Sequence, residues 1–243
     1  MTASKDVIHP ASPPNCGEEV NGIKAKCPIY VRAFFIGGAG DKTKYEVLGI
    51  PVDGPNGNIV PVQSAVDSKV IPEDVKNRYA SFYLGFEEVK GTNDINTNVT
   101  ANIPDSTTHV YIVGHSLGGW NGAHLSQILS DKGYSVKMLI TLDPVGTAFL
   151  VQVNSDIYTR TPKPKAEYWM NILAAPRNRN SSDTVADLGG RWIIDSKTSP
   201  QPNTQHIVDI NHAEAEVMFM ANSPSSAYNT MVQSILETIR SGR

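Results

Sequence analysis

The feature that most constrains the fold of this chain is a serine between two glycines, directly after a β-branched run. Residues 114–118 read Gly-His-Ser-Leu-Gly, and residues 110–113 before them read Val-Tyr-Ile-Val. Residues 119–123 read Gly-Trp-Asn-Gly-Ala, which is typical of a closely packed helix. The succession predicts a sharp turn that projects the serine Oγ from the carboxyl end of a buried strand. Glycine is expected on each side because a Cβ there would collide with the neighbouring strand or helix.

Apolar strands and helices alternate on both sides of this turn. Residues 109–113 and 136–142 are predicted strands, with a predicted helix at 117–129 between them. Residues 29–36, upstream, have the β-branched and aromatic content of a central strand. Continuous apolar strands that alternate with helices favour an α/β fold with a mainly parallel sheet covered on both faces. Other segments are predicted as strands at 169–173 and 191–194, a hairpin at 47–52 and 58–62, and a closing amphipathic helix to about residue 240.

Composition and charge exclude several classes of protein. The net charge of −3 without a basic stripe gives no reason to expect a nucleic-acid partner. No apolar run approaches the length of a transmembrane segment. Residues 1–14 are polar and lack the apolar core of a signal peptide. We therefore expect a cytoplasmic chain, or one exported without a signal peptide.

The chain is expected to form one domain. We find no internal repeat or linker, so residues 28–243 are predicted to be a single catalytic domain behind an irregular N-terminal arm at residues 1–27. The only two cysteines, Cys16 and Cys27, bracket a short polar loop. They form either a disulfide, in an oxidising compartment, or two reduced thiols, and the sequence leaves both alternatives open. No further cluster of cysteine and histidine suggests a metal.

The serine needs partners before it can act as a nucleophile. A serine hydroxyl is activated by an imidazole that takes its proton, and a carboxylate orients that imidazole. In an α/β sheet such groups converge at the carboxyl ends of neighbouring strands. Asp143 ends the apolar run 138–142, and Pro144 stops that strand. Ser116 and Asp143 are thus expected at the same edge of the sheet, although Asp143 would also suit a helix N-cap.

Among six histidines, His212 is the preferred base. It falls in a loop just ahead of the apolar segment 213–220, which is predicted to be a helix. His206 is the rival, although its place before Ile-Val is typical of a residue that starts a strand. His115 neighbours the serine on the turn and is expected to point elsewhere.

Two other carboxylates are alternatives to Asp143. Asp209 lies only three residues from His212, which argues against its approach from a separate strand. Asp195 follows the apolar residues 192–194 and would end a strand of its own. It is therefore the more serious rival.

These motifs together resemble the α/β-hydrolase superfamily, and within it the serine lipases and esterases. The Gly-His-Ser-Leu-Gly-Gly sequence at 114–119 is the form common among lipases. Leu-Asp-Pro at 142–144 resembles the acid strand of pancreatic-type and related lipases, which follows the nucleophile directly. Asn-His at 211–212 resembles the family's loop before the last helix. The resemblance implies an α/β-hydrolase fold, with a mainly parallel central sheet and helices on both faces.

The resemblance also implies an oxyanion hole made of two backbone N–H groups. One donor is expected at Leu117, directly after the nucleophile, and the other at Ala39 or Gly38 in the loop after the first core strand. The chain lacks the histidine that many lipases carry in this loop, and a plain tight turn is the alternative reading. The loop also resembles a phosphate-binding loop, but Asp41 interrupts the required Gly-Lys-Thr and argues against an NTPase.

The sequence therefore predicts a serine esterase or lipase that forms an acyl-enzyme, with no metal and no organic cofactor. Ser116 attacks the ester, His212 transfers the proton and Asp143 orients His212. The lipase-like turn and the apolar residues 145 and 148–151 after Asp143 favour a lipid-like ester as the substrate, and transient contact with a membrane surface. The same apolar residues would also suit a buried core, and the sequence leaves any protein partner unknown. The alternatives are an amidase or thioesterase with the same triad, a non-catalytic hydrolase-fold binding protein, or a bacterial antagonistic lipase delivered without a signal peptide.

Overall fold

The computed structural model describes residues 28–42, 57–74, 76–194, 197, 200–222 and 224–241, together with the backbone of four short strands. These strands form two antiparallel pairs, Glu19–Val20 with Ile23–Lys24 and Tyr45–Val47 with Ile50–Val52. Both cysteines and most of the predicted arm at 1–27 lie outside the described residues. Asp195 lies outside them as well.

The core of the molecule is a sheet of six strands, and every neighbouring pair in it is parallel. In chain order the strands are β1 Val31–Gly37, β2 Tyr79–Gly85, β3 His109–His115, β4 Ser135–Leu142, β5 Tyr168–Ala174 and β6 Thr204–Val208. Their order across the sheet is β2-β1-β3-β4-β5-β6. The chain thus leaves β1 towards one edge and returns to build the other side from β3. In open α/β sheets ligands bind at such a reversal, which here lies at the carboxyl ends of β1 and β3.

Helices cover both faces of the sheet. They are α1 Val60–Val70, α2 Gly91–Asn98, α3 Leu117–Asp131, α4 Phe149–Asn154, α5 Ser181–Gly189, α6 Ala215–Met220 and α7 Ala227–Ser241. In β1, Phe35 packs in one core with α1, α6 and α7, whereas Phe34 packs in a second core with α2 and α3. The predicted α/β architecture, a mainly parallel sheet between two helical layers, is confirmed. No helix in the described part of the chain is long and apolar enough to cross a membrane.

Two predicted segments are wrong. Residues 58–62, predicted as one strand of a hairpin, instead lead into α1, whose Val62, Val66 and Val70 are buried at helical spacing. Residues 191–194 do not form a strand, because Arg191 makes only an isolated antiparallel bridge to Val145. The indole of Trp192 stacks on that of Trp169 with ring centroids 5.6 Å apart, so packing holds this segment against the end of the sheet.

Candidate active site

Ser116 occupies the turn between β3 and α3 with a backbone conformation that side chains rarely adopt. Its φ is 56° and its ψ is −125°, which places it outside the regions that non-glycine residues favour. The surrounding backbone holds the turn, because Ser116 N–H donates to Leu142 O at 3.1 Å and Ser116 O accepts from Gly119 N–H at 2.9 Å and Val145 N–H at 3.1 Å. The turn therefore presents the Oγ in a fixed direction.

The two flanking glycines are required by backbone contacts. A Cβ on Gly114 would lie 2.3 Å from the carbonyl oxygen of Gly118, and a Cβ on Gly118 would lie 2.2 Å from the carbonyl oxygen of Ile36. Neither backbone neighbour can move away without shifting a strand or a helix. This confirms the prediction that β3, α3 and the adjacent strand approach too closely for a side chain at either position.

The structure brings Ser116, His212 and Asp143 together. Ser116 Oγ lies 3.0 Å from His212 Nε2, and His212 Nδ1 lies 2.7 Å from Asp143 Oδ2. The three residues are 8%, 6% and 0% exposed. A hydroxyl, an imidazole and a carboxylate in this sequence of hydrogen bonds form the arrangement that activates a serine, because the carboxylate fixes the ring tautomer that leaves Nε2 free to accept the proton.

Asp143 is held from several directions. It follows β4 directly and has a φ of 39°. Its N–H donates to Ile172 O at 2.7 Å, and its Oδ1 accepts the N–H of Ala174 at 3.1 Å, so the neighbouring strand β5 fixes both backbone and side chain. Its Oδ2 accepts from His212 Nδ1 and also from Nη1 of Arg191. These bonds explain why the carboxylate of Asp143 is buried here, so the alternative role of Asp143 as a helix N-cap is not needed.

Asp183 is a residue that the sequence reasoning missed. Its Oδ1 accepts the backbone N–H of His212 at 3.0 Å, and its Oδ2 accepts from Asn211 Nδ2 at 3.1 Å and from the N–H of Asn180 at 3.0 Å. Burial alone would raise the pKa of this carboxyl, but the hydrogen bonds from Asn180, His212 and Arg191 outweigh it and hold the pKa below its ordinary value. Asp183 therefore organises the loop that carries His212, and only its Asn-Ser-Ser-Asp capping pattern could have drawn attention to it.

The expectation that His115 points elsewhere is wrong. Its ring is buried and lies 4.8 Å from the ring of His212, centroid to centroid. Its Nε2–H donates to His212 O at 2.7 Å, and its Nδ1 accepts from Asn58 Nδ2 at 3.3 Å. Burial lowers the pKa of His115 to about 3, so the ring is neutral at pH 7 and suited to both bonds. The ring therefore lies against the loop that carries His212, held by hydrogen bonds at both of its nitrogens.

The rival residues lie apart from this arrangement. His206 pairs with Ile172 in the middle of the edge strand β6, and its Nε2 is buried without a hydrogen-bond partner. Asp209 accepts the N–H of Arg177 at 2.6 Å and forms an ion pair with that guanidinium at 3.3 Å.

The glycine loop after β1 passes directly beside the serine. A Cβ on Gly38 would lie 2.6 Å from Ser116 Cβ, so only glycine allows this approach. Asp41 closes the loop, because its N–H donates to Gly38 O at 3.3 Å and its carboxylate accepts from Tyr83 OH at 2.9 Å and from Ile59 N–H at 3.2 Å. Burial raises the pKa of the Asp41 carboxyl. The residue that interrupts a phosphate-binding pattern is thus a structural support for the loop.

The expected oxyanion donors lie at this end of the sheet. Leu117 is the first residue of α3, and a helix offers no internal acceptor to its first N–H groups. Ala39 and Gly38 belong to the loop that borders Ser116. No group of three or more His, Cys, Asp or Glu within the described ranges is placed to hold a metal ion.

The strand order, the helices on both faces and the strained serine turn after β3 define an α/β-hydrolase fold. No protein-family model matches the chain, and no curated protein matches it.

Among solved structures, the chain is similar to YbtT, a type II thioesterase from the yersiniabactin NRPS/PKS pathway, with 9% identity and a TM-score of 0.40 over 90% of this chain and 97% of that one. It is also similar to ClbQ from the colibactin NRPS/PKS pathway, with 10% identity and a TM-score of 0.41 over 88% and 98%. A third similar structure is the Tle1 effector bound to the VgrG spike of the type 6 secretion system, with 11% identity and a TM-score of 0.41 over 87% of this chain and 55% of that one.

Proposed function

We propose that this protein is a serine hydrolase that cleaves carboxylic esters through an acyl-enzyme. The observation that carries the proposal is the unbroken chain of hydrogen bonds from Ser116 Oγ through the His212 ring to Asp143. A structural role for the three residues would not require the strained φ of 56° at Ser116. Strain of this kind is retained where a side chain must be presented to a ligand.

The reaction proceeds in two halves. His212 Nε2 takes the Ser116 hydroxyl proton as Oγ bonds to the ester carbonyl carbon, and Asp143 stabilises the imidazolium that forms. The tetrahedral intermediate then collapses, the alcohol leaves with the proton from His212, and Ser116 remains acylated. In the second half, water gives a proton to His212 and its oxygen attacks the acyl carbon. The carboxylic acid leaves and the proton returns to Ser116 Oγ.

Two backbone N–H groups stabilise the oxyanion in this proposal. Leu117 supplies one, and the glycine loop supplies the other through Ala39 or Gly38. The close approach of Gly38 to Ser116 Cβ supports this assignment, because a donor must lie beside the attacking oxygen. Asp41 stabilises the glycine loop, because its carboxylate accepts hydrogen bonds from Tyr83 OH and from the N–H of Ile59.

A group of exposed apolar side chains supports a lipid-like substrate. Six of the ten large apolar side chains that are exposed among the described residues fall in two short segments, 149–153 and 185–193. The two segments are adjacent, because Ala148 N–H donates to Gly189 O at 3.2 Å. They also border the site, because Arg191, which contacts Asp143, lies in the second one. We name this surface the apolar rim; it consists of Phe149, Leu150, Val153, Val185, Leu188 and Ile193.

The apolar rim suits transient contact with a lipid surface. Phe149, Leu188 and Ile193 are each 74% exposed, and exposed apolar side chains that cluster are a mark of binding surfaces. Contact with acyl chains would remove these side chains from water, which is favourable by roughly 1.5–3 kcal/mol for each large side chain that is fully buried. This surface would keep a lipid ester near Ser116.

A substrate panel tests the proposed activity. Nitrophenyl esters of graded chain length, a matched acyl thioester, a matched amide and phospholipid vesicles are compared with wild-type protein and Ser116→Ala. We expect kcat/KM for the esters to rise with chain length and to fall by at least about 10³-fold in Ser116→Ala. Faster cleavage of the thioester or the amide would reassign the substrate class. Equal rates for wild type and Ser116→Ala would contradict the proposal.

A pair of variants tests the lipid contact. Cosedimentation with phosphatidylcholine vesicles is measured for Phe149→Ser with Leu188→Ser, and for the control Ile71→Ser, whose side chain is 58% exposed at the opposite end of the sheet, after α1. We expect the double variant to bind at least about tenfold more weakly and the control to bind like wild type. Unchanged binding of the double variant would exclude the apolar rim as the lipid-contact surface.

A further inference from the structure

We propose that Arg191 is a positioning residue that holds His212 at both its ring and its backbone, by bridging the two carboxylates that bind it. The inference rests on the proposed function, because it assigns Arg191 a role in keeping the base aligned with Ser116. Within the described part of the chain, the hydrogen bonds of the Arg191 guanidinium go to three carboxylates and two backbone carbonyls, and to neither Ser116 nor the ring of His212.

The first link runs to the imidazole ring. Asp143 Oδ2 accepts the Nδ1–H of His212 at 2.7 Å, and the same oxygen accepts from Nη1 of Arg191. Nη1 also donates to the carbonyl oxygen of Ala174 at 3.0 Å, at the end of β5. The carboxylate that orients the ring is therefore tied to the sheet through the guanidinium as well as through its own backbone.

The second link runs to the backbone of the histidine loop. Asp183 Oδ1 accepts the backbone N–H of His212 at 3.0 Å, and the same oxygen lies 3.3 Å from Nη2 of Arg191. Asp183 also binds Asn211 Nδ2 at 3.1 Å, so this carboxylate controls the two consecutive residues of the loop. One guanidinium thus spans the carboxylate at the ring and the carboxylate at the backbone.

The charges explain why an arginine is needed at this place. Asp143 and Asp183 are both fully buried, and the side chain of Arg191 is 15% exposed. Without the guanidinium, two buried carboxylates would lie close together with no positive charge between them. This would cost stability, because buried charges need compensation. The third donor, Nε, bonds to Asp187 Oδ1 at 2.8 Å and fixes the plane of the guanidinium. Lysine cannot reproduce this geometry, since its ammonium is a single point charge.

The same charges set the expected pH dependence. Asp143 at the end of β4 and Asp183 on α5 bind His212 directly, and Arg191 binds both carboxylates. Farther from the ring, Glu214 accepts the N–H of Asn211 at 3.1 Å, and Asp187 pairs with Arg191 and Arg179. His115 is neutral because burial lowers its pKa to about 3. Loss of the Arg191 charge leaves two uncompensated carboxylates beside His212, which favours the imidazolium. We therefore expect the acid limb of the activity profile to move to higher pH when Arg191 is replaced by a neutral residue.

The test measures the second-order rate at which a fluorophosphonate labels Ser116, which needs no knowledge of the natural substrate. The variants are Arg191→Gln and Arg191→Lys. The matched control is Arg179→Gln, because Arg179 binds Asp187 and the backbone of Asp183 in the same cluster but neither Asp143 nor His212. We expect a loss of about 10–100-fold for Arg191→Gln, a smaller loss for Arg191→Lys and less than about a twofold change for the control.

A double variant separates positioning from simple support of the fold. If Arg191 acts through Asp143, adding Arg191→Gln to Asp143→Asn should cost less than about threefold further in labelling rate, although Arg191→Gln alone costs more. Circular dichroism and urea unfolding establish that each variant is folded at the assay temperature. If Arg191→Gln does not fold, the labelling rate of Arg191→Lys provides the second measurement, because lysine keeps the charge and loses the fork of donors that spans Asp143 and Asp183. A wild-type labelling rate in Arg191→Lys would then contradict the inference.

The outcomes distinguish this inference from the proposed function. Absence of labelling in the wild type would overturn the proposed function and the role of Arg191 with it. Rapid labelling of the wild type with an equal rate in Arg191→Gln would overturn the role of Arg191 alone. Additive losses in the double variant, or an unmoved acid limb in Arg191→Gln, would reduce Arg191 to a structural residue and contradict the inference.

Discussion

Ser116 Oγ and His212 Nε2 lie 3.0 Å apart, but the chain holds the two side chains by different means. On the serine side, backbone packs against backbone, and the contacts of Gly114 and Gly118 leave no room for a Cβ. On the histidine side, two buried carboxylates hold His212: Asp143 binds its ring and Asp183 binds its backbone N–H.

The difference has consequences for what each side tolerates. Close packing depends on shape and is insensitive to pH, whereas a network of charges depends on protonation and on every partner remaining in place. The strand, turn and helix that carry the serine are consecutive in sequence, and distant backbone such as that of Ile36 closes around them. The histidine side instead joins four side chains that lie on separate segments of the chain. The serine side should therefore fail by unfolding, and the histidine side should fail by misalignment.

The largest expected effect comes from removing the histidine itself. His212→Ala leaves Ser116 without a base, so the rate of ester hydrolysis should fall by at least about 10³-fold. The double variant with Ser116→Ala should be little worse than either single variant, because the nucleophile and the base act as a unit. His206→Ala is the control and should keep most of its activity. A severe loss in His206→Ala with an active His212→Ala would reassign the base.

The next effect tests the packing of the serine side. Gly118→Ala places a Cβ 2.2 Å from the carbonyl oxygen of Ile36. We expect the free energy of unfolding in urea to fall by about 3 kcal/mol or more, which is a large share of the stability of a domain. Gly133→Ala is the control, because Gly133 has a φ of +87° but nothing within 4 Å of the added Cβ. It should lose only about 1–2 kcal/mol, and equal losses in the two variants would contradict the steric explanation.

The smallest effect concerns His115, which links the two sides by donating to His212 O. Its pKa is about 3 in the folded protein against 6.5 as the ordinary value, so between these pH values the unfolded state binds more protons and stability falls as the pH falls. His115→Gln should remove up to about 1.4 kcal/mol of this loss per pH unit below 6.5.

The comparison for this prediction is His124→Gln. Burial lowers the pKa of His124 to about 4, and its Nε2–H donates to Arg160 O at 2.7 Å, away from the site. As the pH falls, the loss of stability caused by neutral His124 should therefore stop growing near pH 4, whereas the loss caused by His115 should continue to about pH 3. Urea unfolding at several pH values measures both. Identical pH dependence in wild type and His115→Gln would show that the buried ring does not remain neutral.

The two sides also differ in how far the sequence could predict them. The strand, the turn and the helix around Ser116 depend on neighbours in sequence, so the pattern of residues 110–123 was sufficient for the fold around the serine. The role of Asp143 could be predicted because this residue directly follows an apolar strand. The position of His212 followed from a loop before an apolar segment.

The rest depended on contacts that no local pattern reveals. Asp183 and Arg191 meet His212 and Asp143 across 29 and 48 residues of sequence. Arg191 belonged to a predicted strand, whereas in the structure its segment is fixed by the burial of Trp192. Helix α1 was missed because its valines have the β-branched character of a strand, and only their burial at every fourth residue in the folded core identifies the helix.

The proposed reaction and the role of Arg191 both require Ser116 to be an activated nucleophile. The most direct measurement is mass spectrometry of the protein after reaction with a fluorophosphonate, followed by peptide mapping. We expect one adduct, located on Ser116, which is absent in Ser116→Ala and forms far more slowly in His212→Ala. A wild-type protein that remains unlabelled, or an adduct on another residue that persists in Ser116→Ala, would contradict it.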